Sequence, residues 1–151
     1  MQSKFLWAGV AVVLSLFISS QVFAQSEVIE TRQKLMKSNG AAAKAMKKAI
    51  EEKDYATVEL KAKDIAGNMD KVVDLFPKGS TSDKSKALPV IWEKWDEFSK
   101  NPGKVKTAAE DLAKAAAAKD DAAVGAKFKV LGSACANCHK TFRAEDKKSG
   151  K

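Results

Sequence analysis

Apolar side chains recur along this chain at alternating steps of four and three, the period of amphipathic helices packed side by side. Ser26 suits the N-cap of a first helix running to about Glu52, with Val28, Ile29, Arg32, Leu35, Met36, Ala43, Met46 and Ile50 turned inward. Asp54 is placed to cap a second helix, which Pro77 must stop near Phe76. Its seam is Val58, Ala62, Ile65, Met69, Val72 and Phe76. The polar stretch from Pro77 to Pro89 is a long connection, and Pro89 suits the first turn of a third helix with Ile91, Trp92, Trp95 and Phe98 packed inward. Asn101-Pro102-Gly103 should break or kink that helix before it resumes through Val105, Ala109 and Leu112. Asp120 or Asp121 can cap the last helix, whose seam is Val124, Phe128, Leu131, Cys135, Cys138 and Phe142. No strand alternation and no internal repeat interrupts the pattern. The expectation is an all-α, antiparallel four-helix bundle.

The first 24 residues read differently. Lys4 is followed by the apolar run Phe5 to Ser19 and by Val22-Phe23-Ala24, the order of a secretory signal peptide cleaved after about Ala24. The apolar run falls short of the ~20 residues a spanning helix needs, so no stable membrane insertion is expected. Residues 25–151 then form one domain, exported to the periplasm. Alanine and lysine dominate it, which favours helix. The net charge of +8 comes from lysines interspersed with acidic residues, without the dense basic block that tracks a phosphate backbone, so nucleic acid is not an expected partner.

The chemistry gathers at one place. Cys135-Ala136-Asn137-Cys138-His139 holds both cysteines and the only histidine. A thioredoxin-like dithiol needs its Cys-x-x-Cys at a strand-to-helix junction, and here the pair sits deep in a helix. Structural zinc needs four ligands where the chain offers three within five residues. Cys-x-x-Cys-His is also the attachment signal of a c-type haem, with two thiols one helical turn apart for the two vinyl groups and the next side chain aimed at the iron. Export and a helical context fit haem c, covalently attached through Cys135 and Cys138 with His139 on the metal. A sole histidine excludes two imidazoles from one chain. The sixth position is left to methionine (Met36, Met46 or Met69), lysine, water, a diatomic gas or nothing.

The C-terminal CANCHKTFR, the preceding bundle and TRQKLM in the first helix together resemble the class II cytochromes c, the cytochrome c prime superfamily. The Ile91-Trp92 pair is similar to the family's third helix, although the Asn-Pro-Gly break departs from it. The resemblance implies that Arg32 and Gln33 form the family's haem-contacting pair, with Arg32 against a propionate. It implies that Met36 faces the open side of the haem, that Trp92 helps to wall it, and that Arg143 stands on the proximal side in an undefined role. Cytochrome c prime has a non-coordinating residue at the position of Met36, while the family's low-spin branch has a ligating methionine there. The resemblance therefore implies a His139/Met36-ligated carrier of single electrons, not an enzyme, meeting redox partners with acidic docking surfaces. The alternative is a five-coordinate haem protein binding NO or CO. Monomers and homodimers both occur in the family.

Overall fold

The computed structural model describes residues 5–145, with side chains described from Gln25 onward; the leader expected at residues 1–24 thus falls outside the described side chains. Helix α1 spans Phe5–Glu51, α2 Tyr55–Met69, α3 Val90–Glu93, α4 Trp95–Phe98, α5 Asn101–Ala117 and α6 Asp121–Phe142, with a 3-10 turn at Val73–Leu75. The fold is an antiparallel four-helix bundle of α1, α2, α5 and α6. Its packed seams run from α1 to α2, α2 to α5 and α5 to α6, while α1 and α6 share no comparable seam. Among the described residues the only β feature is an isolated antiparallel bridge between Ala87 and Arg143, and no helix is long and apolar enough to cross a membrane.

The two hairpin corners repeat one device. Lys53 and Lys119 take left-handed φ values of 56° and 54°, and the aspartate that follows each one caps the next helix. The Asp54 side chain accepts from Thr57 N at 3.1 Å, and Asp120 accepts from Ala123 N at 3.0 Å. The corners lie at the same end of the bundle, because the Tyr55 hydroxyl donates to Asp121 Oδ1 at 3.0 Å and Lys53 Nζ stands 3.2 Å from Asp121 Oδ2.

The apolar periodicity locates most of the core. All six seam positions of the second helix are buried, as are Val124, Leu131 and Phe142 of the last. In α1 the buried line is Ile29, Arg32, Leu35, Ala42, Met46 and Ala49, so the core-facing stripe sits one residue ahead of the expected Ala43 and Ile50, which are half-buried. Ser26 does not begin a helix, because α1 runs through it. The second helix ends at Met69 rather than near Phe76, its last turn tightening to 3-10. The expected third helix is also different. Val90–Glu93 and Trp95–Phe98 are separate single turns, and a full helix starts only at Asn101. Proline explains the restart. At Pro102, in the first turn, the missing N–H has no hydrogen bond to lose.

Candidate functional site

The unsealed edge between α1 and α6 opens into a cavity of about 670 Å³, within the range of ordinary ligand pockets. Arg32, Gln33, Met36 and Lys37 line it from α1, and Cys138, His139, Phe142 and Arg143 from the end of α6. Val72, Phe76, Ile91 and Phe98 make its apolar floor. Phe98 is the hinge of that floor, its ring 4.8 Å from Phe76 and 5.3 Å from Phe142, both edge-on. Lys84, Ser85, Lys86 and Ala87 of the connection between α2 and α3 close one side. The lining contains several cationic side chains and no carboxylate.

The last turns of α6 put the candidate chemistry in place. Cys135 and Cys138 are half-buried against the core and free of any disulfide. Burial raises both thiols; Cys138, with Cys135 beside it and only partial relief from Lys104, is pushed up to about 11. These are protonated thiols, not the lowered-pKa thiolates of a redox dithiol or a preformed metal site. His139 stands exposed in the cavity mouth. The protein packed around its ring, and secondarily the charge of Arg143, holds the imidazole below its ordinary pKa and so favours the neutral form a metal needs. Among the described residues no three His, Cys, Asp or Glu side chains converge on a point. The Cys138 thiol and an imidazole in a largely apolar cavity with a basic rim, with Cys135 one turn back on the same helix, suit a large ring carrying two carboxylates. They do not suit chelation of a bare ion.

Two of the expected site residues carry bonds to other parts of the chain. Arg32, only 3% exposed, is turned into the protein. Its Nη1 donates to Ser80 Oγ at 2.8 Å and Leu75 O at 3.4 Å, and its Nη2 to Ser80 O at 2.6 Å and Ser85 Oγ at 2.7 Å. Its guanidinium also lies 4.6 Å over the Phe76 ring. These bonds clamp the connecting loop, while Arg32 also lines the cavity. Trp92 is not part of the cavity wall. Its indole N–H is spent on Phe76 O at 3.1 Å, and the neighbouring Ile91 lines the cavity in its place. Gln33 and Arg143 do line the cavity; Gln33 Nε2 donates to Lys84 O at 2.6 Å. Arg143 N donates to His139 O at 3.0 Å, closing the helix.

Sequence reasoning missed the loop wall. Ser80 is fully buried, yet nothing distinguishes it from its neighbours in a polar stretch; its burial comes from Arg32, 48 residues away. Val72, Phe76 and Phe142 were legible as seam positions, though not as cavity lining.

A family model described as Cytochrome C' matches residues 27–143. The chain is 35% identical over 118 residues to the cytochrome c' of Pararhodospirillum photometricum, covering 76% of this chain and 94% of that one. It is 35% identical over 136 residues to a cytochrome c-556 of Agrobacterium fabrum, covering 88% and 91%. Among solved structures, a cytochrome c' with an unusual ligand-controlled dimer dissociation superposes with a TM-score of 0.74 at 30% identity, over 80% of this chain and 97% of that one.

Proposed function

Because the chain belongs to the cytochrome c' family, we propose that it is a five-coordinate haem protein that binds small diatomic gases such as NO and CO. The chain carries one haem c, attached through Cys135 and Cys138. When bound, that group would supply an iron able to take a gas molecule. The observation that carries the proposal is the cavity itself: α6 presents the one imidazole, His139, and the facing wall on α1 holds no second imidazole.

The expectation of a His139/Met36-ligated electron carrier is overturned. The family model and the cytochrome c' relatives, including a further one 40% identical over 85 residues from Rhodospirillum rubrum, place the chain with proteins whose iron is typically five-coordinate, and the low-spin assignment goes with it. Met36 is then an apolar wall of the gas side, a role that a half-buried thioether fills by packing. The basic rim of Lys37, Lys84, Lys86 and Arg143 would suit the haem's own carboxylates, a nearer use than an acidic redox partner. The expected partner thereby loses its support.

In this reading the chain's residues bind and orient and do not turn over a substrate. Cys135 and Cys138 would tether the haem, His139 would hold its iron, and Phe76, Phe98 and Phe142 would exclude water from the interior side of the cavity. The leader at residues 1–24 supports a periplasmic location. The dimer formed by the similar cytochrome c' supports a homodimer here.

Optical spectra of the purified ferric and ferrous holoprotein test the proposal. High-spin spectra, with a Soret shift on adding CO or NO to the ferrous form, are expected, and Met36→Leu should leave the spin state unchanged. A low-spin spectrum with a far-red thioether–iron band that Met36→Leu abolishes would overturn it.

A further inference from the structure

Helices α1 and α6 face each other across the cavity without a seam of their own, yet one carries Met36 and the other His139. A chain of hydrogen bonds through the loop from Pro77 to Pro89 crosses between them. From α1, Arg32 holds Ser80 and Ser85 by three bonds of 2.6–2.8 Å, and Gln33 holds Lys84 O. A few residues on, the same loop is stitched to the end of α6: Leu88 N donates to Phe142 O at 3.1 Å, Ala144 N to Lys86 O at 2.8 Å, and Ala87 bridges Arg143. Ser85 ties the two halves together, its Oγ accepting from both Arg32 and Ala87 N. All the acceptors recorded for Arg32 are neutral oxygens, joined by the face of the Phe76 ring. A buried cation is a costly way to fill space, and a planar fork spread over two serines is a specific way to fix a loop.

We propose that Arg32 is a positioning residue which, through this strap, holds the C-terminal turn of α6 and so sets the separation between the Met36 wall and the His139 wall. The tie is made of protein–protein bonds and stands whether or not the gas-binding function does. It assigns to the conspicuous arginine of α1 a mechanical role in the loop.

Hydrogen exchange followed by mass spectrometry on the holoprotein, together with the rate of CO association to the ferrous form, tests it. Arg32→Lys keeps the charge and loses the fork. It is expected to speed exchange in the segments holding Leu88 and Ala144 by about tenfold or more, to leave α2 and α5 segments unchanged, and to alter the CO rate several-fold. Ser85→Ala removes one bond and should move both readouts the same way by less. Trp92→Phe is the control: it breaks a bond of the neighbouring segment to Phe76 O without touching Arg32, and both readouts should stay at wild-type values. Wild-type exchange around Leu88 and Ala144 in Arg32→Lys, with the bundle intact, would overturn the tie. If Arg32→Lys does not fold, Ser85→Ala and Gln33→Ala decide by the same exchange criterion. A holoprotein that takes up no CO refutes the gas-binding function alone, and exchange still decides the tie.

Discussion

His139 and its two cysteines show how far single residues can be understood from their neighbours in sequence. Five adjacent positions on a helix fix two thiols one turn apart and an imidazole beside them, and that local geometry was legible without any structure. Replacing both Cys135 and Cys138 by serine is expected to abolish the haem stain on a denaturing gel, whereas either single replacement should leave one thioether and a reduced stain. Arg32 was not legible in the same way. Its partners lie 48 and 53 residues away, in a loop whose serines look like any others. At the far end of the bundle, Asp121 illustrates a charge whose effect has a definite sign. The Tyr55 hydroxyl first, and then Lys53, hold its carboxyl below the ordinary value of 3.8. A depressed carboxylate contributes stability above its unfolded pKa and loses it as pH falls through the folded one. Asp121→Asn should therefore lower the urea midpoint at pH 7 and narrow the difference from the parent protein below about pH 4, as chemical denaturation at the two pH values would show.

At the scale of helices, the four-and-three stepping found α2, α5 and α6 because each has one apolar stripe and one core to meet. In α1 it located Ile29, Arg32, Leu35 and Met46 but took Ala43 and Ile50 in place of Ala42 and Ala49, since alanine is small enough to serve on either side and Ala42 and Ala43 cannot be told apart by hydropathy. The region around Trp92 and Trp95 failed for another reason. Its spacing is helical, but Lys94 between the two turns takes a non-helical conformation. Leu112, fully buried where α5 meets its neighbours, is the element's anchor. Leu112→Ala is expected to cost roughly 2–5 kcal/mol, read from equilibrium unfolding. The corner at Lys119 should respond in the opposite sense. Its left-handed backbone strains any residue with a Cβ, so Lys119→Gly should stabilise by about 0.5–1 kcal/mol and Lys119→Val should destabilise.

The whole molecule is a bundle closed along three seams and open along the fourth, and the pocket is a property of that asymmetry. No single helix announces it; it exists because α1 and α6 each satisfy their apolar stripes against other neighbours. Equilibrium sedimentation is expected to show a dimer; a monomer at all concentrations would refute the proposed homodimer. The two lysine–aspartate corners carry a consequence for this shape. Both are pinned together at one end by Tyr55, Lys53 and Asp121, so that end acts as a fulcrum. Met36 lies fifteen residues up α1 from Glu51, about 22 Å of helical rise. A pivot of one helix against the other is therefore multiplied along a long arm before it reaches the cavity, and the strap, far from the fulcrum on both helices, is where a small force resists it.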